Sequence, residues 1–313
     1  EAIQKGCNLL IAHHPVIFRG LKKLTGGHYV ERIIIKAIRQ GLAIYAIHTN
    51  LDNVKEGVSH RMARILGIEG GSVLEPRPGT LKKLYTFVPV AQLEQVRSAV
   101  FTAGAGHIGN YSECSFSATG TGTFKGGADT HPFVGKPGER HYEEESRIEF
   151  IFPAHREKAV LKALLEAHPY EEVAYDLLAV TNTHPGIGSG WVGELPLAVK
   201  EQDFLLNLKN AFGLASFRHT KPTGRPVKKV ALCGGAGSFL ISRALSIGAD
   251  VFISADIKYH EFFEADGRML ICDIGHFESE QFTVDLLADI LQQKFPTFAV
   301  LKSDQLTNPV YYY

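Results

Sequence analysis

Three short polar clusters stand at the ends of apolar stretches in this sequence of 313 residues. They are His13-His14-Pro15, the segment His48-Thr49-Asn50-Leu51-Asp52, and the segment His276-Phe277-Glu278-Ser279-Glu280. Neutral imidazole nitrogen and carboxylate oxygen are ordinary ligands of divalent Zn, Fe and Mn, so these residue types suit metal binding. Adjacent residues on a regular strand point to opposite faces. Pro15 ends the strand's hydrogen bonding, which leaves His13 and His14 where the chain turns and where they can reach two neighbouring ions. His276 and Glu280 are four residues apart and share a face if their segment is helical. A carboxylate can bridge, so five ligands could hold two ions about 3.5–4 Å apart around a shared water or hydroxide, the layout of two-metal hydrolytic sites.

Each cluster has a plainer reading. A His-His pair is often incidental. The second segment reads as a helix N-cap with Asp52 as the capping acid. The third reads as an N-cap followed by acidic residues that suit the helix dipole. The metal reading gains from convergence: all three clusters follow strands, and ligands collect at the carboxyl ends of strands in open α/β sheets.

The elements that must position them alternate. Residues 8–13 form a continuous apolar run, as a buried parallel strand does, and 29–40 read as a helix. Residues 42–47 read as a second strand and 58–66 as a second helix, which is βαβα order. The tract Glu75-Pro76-Arg77-Pro78-Gly79 predicts a boundary. Beyond it the order changes to βαββαβ, the ferredoxin-like arrangement. Its strands are expected at 82–90, 111–124, 146–152 and 173–180, its helices at 91–103 and 156–167, and a long loop at 126–145. After residues 183–190 the α/β rhythm returns, with strands at 229–233, 250–254 and 268–273 and helices at 203–212 and 282–294. The fold class expected is therefore α/β: a mostly parallel sheet domain split in sequence (1–79 and 183–313), with an inserted ferredoxin-like α+β domain (80–182). The opening residues read as the end of a helix stopped by Gly6, which suggests that leading elements precede Glu1.

Composition narrows the function classes. Lys+Arg and Asp+Glu are both 33, which argues against a nucleic-acid or polybasic membrane surface. No apolar run approaches the roughly 18 residues of a membrane span. The four cysteines form no CxxC pair, which fits a reducing, cytoplasmic setting. The turn Gly234–Gly237 contains a G-x-G, but Leu240 stands at the third fingerprint position. A packing turn is the simpler reading, with anion binding at the following helix as the alternative.

At these residues the sequence resembles the NIF-three-like dinuclear metal proteins, which carry the label of type 2 homologues of GTP cyclohydrolase I. The resemblance rests on LIAHHPVIFRGLKKLTG (Leu10–Gly26), AIYAIHTNLDNVKEGVSHRMARILGI, ADVFISADIKYHEFFEA and ICDIGHFESE. The segments TGTGTF and HPYEEVAYDLLAV resemble the PII-like or CutA-like insert of the longer bacterial members. The resemblance implies that His13, His14, Asp52, His276 and Glu280 are the metal ligands. One ion would take His14, Asp52 and Glu280, and the other His13 and His276, with Glu280 bridging. It also implies a homohexameric toroid with the metal sites facing an internal cavity.

Two function classes follow. The first is a metal-dependent hydrolase of a small-molecule substrate, with a metal-bridging hydroxide as nucleophile. Asp256, His260 and Thr49 are then candidates for substrate or supporting groups, and His260 for a proton shuttle. The second is a non-catalytic metal-binding regulatory, metal-handling or scaffold protein with a sensor-like insert. Open coordination positions, which five ligands leave on two ions, favour the hydrolase.

Overall fold

The computed structural model describes residues 1–311. In chain order, β1 (Leu9–Ala12), α1 (Tyr29–Arg39), β2 (Ala43–Ala46), α2 (Thr49–Asp52), α3 (Val58–Ile65) and β3 (Glu69–Pro76) come first. Next are β4 (Leu81–Pro89), α4 (Leu93–Thr102), β5 (Ser115–Lys125), β6 (Arg140–Pro153), α5 (Glu157–Ala167) and β7 (Tyr175–Ala179). Then follow β8 (Gly188–Val199), α6 (Glu201–Ala211), β9 (Arg218–His219), β10 (Val227–Ala236), α7 (Ile241–Ser246), β11 (Val251–Ala255), β12 (Leu270–Asp273), α8 (His276–Glu280) and α9 (Thr283–Lys294). The chain forms two compact units, one from residues 1–76 and 185–313, the other from 77–184.

In the first unit, β10, β11 and β12 are parallel neighbours at the centre of a six-stranded sheet of order β3-β8-β10-β11-β12-β9. Their continuous apolar runs follow from burial on both faces. Val230, Leu232, Val251, Ile253, Leu270 and Cys272 point to one side and pack with Met62 of α3 and Phe204 and Leu208 of α6. Ala231, Cys233, Phe252 and Ile271 point to the other and pack with Ile241 and Ala244 of α7. Full burial of one such Leu, Ile or Phe side chain is worth about 1.5–3 kcal/mol.

The mixed α/β class is as expected, but a single, mostly parallel sheet is not what forms. β1 and β2 make a separate two-stranded parallel sheet. The larger sheet is mixed: β3–β8, β8–β10 and β12–β9 are antiparallel pairs. The sequence pattern hides β3 and β8 because glycines and prolines interrupt them. Gly70, Gly71 and Pro76 lie in β3, and Gly188, Gly190, Gly193 and Pro196 in β8. These glycines permit close strand approach: a Cβ on Gly71 would lie 2.3 Å from the Val192 carbonyl oxygen.

In the second unit, β5-β6-β4-β7 form an antiparallel sheet. Leu84, Val88, Ile148, Phe150 and Phe152 from one face of it pack on Val96 and Val100 of α4 and Val160 and Leu164 of α5. The loop expected over 126–145 is shorter, because Arg140–Glu145 pair with Gly120–Lys125 as part of β6. The charged run from Arg140 to Glu145 masks that strand in the sequence.

Candidate metal centre

The three clusters come together through backbone pairing. β1 and β2 run parallel with Ala12 opposite Ala46. The ladder continues past their ends: Ile47 N–H donates to the Ala12 carbonyl (3.1 Å) and His48 N–H to the His13 carbonyl (2.8 Å). That register brings His13 and His14 level with the turn into α2, whose last residue is Asp52. No side chain caps α2, and Asp52 lies inside the helix, so the capping role read for it does not form. The third cluster follows β12, and α8 places His276 and Glu280 one turn apart.

Three histidines meet around one carboxylate oxygen of Glu280, and Asp52 joins them through His13. Glu280 Oε2 lies 3.2 Å from His14 Nε2, 3.3 Å from His276 Nε2 and 3.5 Å from His13 Nε2. His13 Nε2 is also 3.5 Å from Asp52 Oδ1, and His14 Nε2 is 3.2 Å from His276 Nε2. These contacts join His13 to Asp52 and His14 to His276, with Glu280 common to the three histidines. Despite these separations, His13 Nε2, Asp52 Oδ1 and Glu280 Oε2 are buried without a hydrogen-bond partner. The side chains of His13 and Glu280 are each only 8% exposed. Buried polar atoms normally find partners, and leaving one unpaired costs about 1–3 kcal/mol. His14 and His276 bond each other, but the converging atoms of His13, Asp52 and Glu280 stay unpaired and are arranged around a common point, as ligands of a cation are. His13, His14 and Glu280 offer ligand atoms all within 4.8 Å of one another.

Electrostatics agree. Burial alone would raise the pKa of Glu280, but His13, His14 and His276 outweigh it and hold the carboxyl well below the usual carboxylate range. Glu280 raises His276 to about 9 against the effect of burial, with Asp256 adding to it. His13 is also raised, because Glu280 and Asp52 outweigh its burial. Asp52 is pushed up to about 6 by burial, opposed by His13. A metal-free site thus holds protons where a cation would otherwise balance the carboxylates.

Surrounding residues fix the ligands. Asp256 Oδ2 lies 2.7 Å from His276 Nδ1, the nitrogen facing away from Glu280. This carboxylate–imidazole contact is the usual outer support of a metal-ligating histidine. Asp256 follows β11 with φ +54°, and His48 precedes α2 with φ +42°. Such left-handed conformations cost about 1–3 kcal/mol in non-glycine residues and cluster at functional sites. Asp273, paired with Arg218, accepts the N–H groups of Ile257 (3.0 Å) and Gly275 (3.2 Å). One buried side chain therefore ties the loop after Asp256 to the loop before His276. At the Gly234–Gly237 turn, Gly235 has φ +62°, and a Cβ there would lie 2.3 Å from Glu280 Oε1. Gly235 N–H donates to Ser279 Oγ (2.9 Å), which in turn donates to the His276 carbonyl (2.8 Å). The turn makes room for the carboxylate, and only a 3-10 turn and the six-residue α7 follow it.

Two candidates stand apart. His260 is exposed and packs on Tyr259 and Phe263, with no polar contact to the cluster among the described residues. Thr49 is exposed at the start of α2. His48 opens the second cluster in the sequence but was given no role of its own there. Its ring centroid lies 5.6 Å from His14 and 6.0 Å from His13, and burial and the neighbouring His14 lower its pKa. Phe18 covers its ring edge-on at 5.8 Å. Its position directly after an apolar strand was the available signal.

The sequence model of the family described as Duf34/NIF3 (NGG1p interacting factor 3) matches residues 1–309. The chain belongs to the DUF34/NIF3 family. A relative from Halalkalibacterium halodurans named "GTP cyclohydrolase 1 type 2 homolog" is 41% identical, over 99% of this chain and 84% of its own length. A Bacillus subtilis protein of the same name is 42% identical over 88% of this chain and 75% of its own. A solved structure, that of a Bacillus cereus protein related to NIF3, covers all of this chain and 85% of its own at 38% identity, with a TM-score of 0.83. Among the described residues of this family member, no helix is long and apolar enough to cross a membrane.

Proposed function

We propose that the chain is a dinuclear metal-binding protein that acts as a metal-dependent hydrolase on a small molecule. The observation that carries the metal reading is the set of buried, unpartnered ligand atoms on His13, Asp52 and Glu280, completed by His14 and His276. These five residues would hold two divalent ions of the Zn, Fe or Mn class, with Glu280 shared. When bound, such a pair supplies an acidified water and a Lewis acid. The protein's own contribution is positional. Asp256 fixes the His276 ring, and Gly235 leaves space for Glu280. The partial exposure of His14 (42%) and His276 (39%) leaves a path for substrate, through a cavity of about 1740 Å³ that both residues line. The cyclohydrolase wording in the relatives' names supports hydrolysis of a ring amide or amidine as the first class to screen.

The same reading takes residues 80–182 as an inserted ferredoxin-like domain between the two halves of the metal-binding domain. The order β5-β6-β4-β7, antiparallel throughout, with α4 and α5 on one face, supports it. Four unpaired cysteines, two of them buried, support a reducing cytoplasmic setting. The resemblance supports a homohexameric ring, which native mass spectrometry tests directly.

The functional test is metal analysis joined to a hydrolysis screen. Protein purified without chelator should carry two ions per chain and turn over at least one substrate among nucleotides, phosphodiesters and cyclic amides. Turnover should vanish in Glu280→Ala. Two ions with no turnover on any class would move the assignment to a regulatory or metal-handling role. Well below one ion per chain would end the metal reading.

A further inference from the structure

The second unit has a cavity of its own, built from residues far in sequence from the five candidate ligands. Its volume is about 470 Å³, within the range of small-molecule sites. Its floor follows from the TGTGTF segment. In β5, Gly120 stands opposite Glu145 and Gly122 opposite Glu143, while Thr119, Thr121 and Thr123 take the alternate positions. Strand alternation therefore sends the threonines to one face and leaves bare backbone on the other. Over that bare face stand Phe124, Phe133 and Tyr170, with ring centroids 6.1 and 6.3 Å from Tyr170.

One charged group is sunk into this apolar trough. Glu145 is 8% exposed. Its Oε1 accepts the Tyr170 hydroxyl at 2.7 Å. Burial and Glu145 itself keep that hydroxyl protonated, well above its ordinary range. Tyr170 is in turn held by His168, whose Nδ1 accepts the Tyr170 N–H at 3.1 Å while its Nε2 meets the Phe87 carbonyl at 2.9 Å. Glu145 Oε2 accepts no hydrogen bond among the described residues. Gly122 lets the carboxylate lie down on the floor of the cavity, since a Cβ there would lie 1.9 Å from Oε2. Two cations line the cavity, Lys125 and Arg147, and among the described residues neither forms an ion pair with Glu145; Arg147 stacks on Tyr85 at 4.3 Å and pairs with Glu149 at 3.0 Å. Glu171 is also committed, accepting the His131 N–H at 2.9 Å.

A buried carboxylate with one oxygen anchored and one open, a flat backbone floor and aromatic walls together select for charge and shape. We propose that this cavity binds a small organic cation: an aromatic or apolar body that carries an amine or amidine whose N–H groups meet Glu145 Oε2. The rings add cation–π attraction and the floor admits a planar body. A neutral or anionic isostere leaves the carboxylate unpaired or repelled.

The test uses the full chain, with benzamidine and phenethylamine as probes and benzamide and benzoate as isosteres, by calorimetric titration and saturation-transfer NMR. At least one of the two cations should bind, benzamidine at least ~10-fold more tightly than benzamide, the ratio a charged hydrogen bond supports. Benzoate should not bind. Glu145→Gln, with an unchanged melting temperature, should lose at least ~10-fold for the cation. Should that variant not fold, Gly122→Ala provides the same test from the floor, by displacing the Glu145 carboxylate from its place. Glu280→Ala should leave cation binding untouched, which separates this site from the metal centre. Three results would each overturn the proposal: no binding of either cation up to millimolar concentration, equal binding of benzoate, or undiminished cation binding in both Glu145→Gln and Gly122→Ala.

Discussion

Glu280 and Glu145 are both buried, and each has a glycine beside it where a side chain would collide. Around Glu280 stand three imidazoles, none in hydrogen-bonding alignment with the oxygen they surround. Around Glu145 stand rings, with a single hydroxyl bonded to one oxygen. The carboxylate is the same group in both places. The neighbours decide what it could receive: nitrogen lone pairs suit the shell of a small inorganic ion, whereas π-faces suit the cage of an organic one.

The difference is open to attack by substitution. Glu280→Ala removes the atom three histidines share. It should lower ion affinity by more than about 100-fold, beyond the 10–100-fold carried by outer partners, as read by metal analysis after dialysis. Asp256→Asn keeps the five ligands but weakens the support of His276. Its affinity should fall by about 10–100-fold, with the fold unchanged by circular dichroism. Gly235→Ala strains the backbone and pushes on Glu280 Oε1. It should cost about 1–3 kcal/mol in urea unfolding of the metal-free protein. Gly122 carries no positive φ, so Gly122→Ala should leave the unfolding midpoint nearer the parent's while still displacing the Glu145 carboxylate. That contrast separates strain from displacement.

The smallest expected effect is one of pH. The pKa of His276 is raised in the metal-free fold from an ordinary value of 6.5 to about 9. Its contribution to stability is therefore fully present below 6.5 and is lost as pH rises through about 9. Urea midpoints of metal-free protein should fall between pH 6.5 and 9.5, and the fall should be reduced in Asp256→Asn. Ion binding should strengthen over the same interval, because a proton must leave the imidazole first. A titration with Mn²⁺ at pH 6.5 and 8 checks the sign.

Much of the candidate cluster was legible because its signals are local. A proline directly after two histidines, an apolar strand before them, and an i,i+4 His–Glu pair all survive as short patterns. The fold's centre was legible for the same reason, since β10, β11 and β12 are apolar on both faces. β3 and β8 were not, because glycine and proline at points of close approach erase the alternation that marks a strand. His48 was passed over because its place depends on a backbone turn at φ +42° and on the ladder between β1 and β2. His260 looked functional by proximity in sequence to Asp256, yet the 3-10 turn over Tyr259–Ala265 leaves it exposed. Glu145 lay hidden in a charged stretch that read as loop, and only the register with Gly120 shows it to be buried.

The order of synthesis gives the metal centre a temporal meaning. His13 and His14 precede Glu280 by more than 260 residues, so they are made first. At about 5–20 residues per second, the histidine pair waits roughly 13–55 s for its carboxylate. A nascent or prematurely released chain presents His13, His14 and Asp52 without the Glu280 carboxylate that the three histidines surround. Tight metal loading would then report that the two distant segments have both been made and joined.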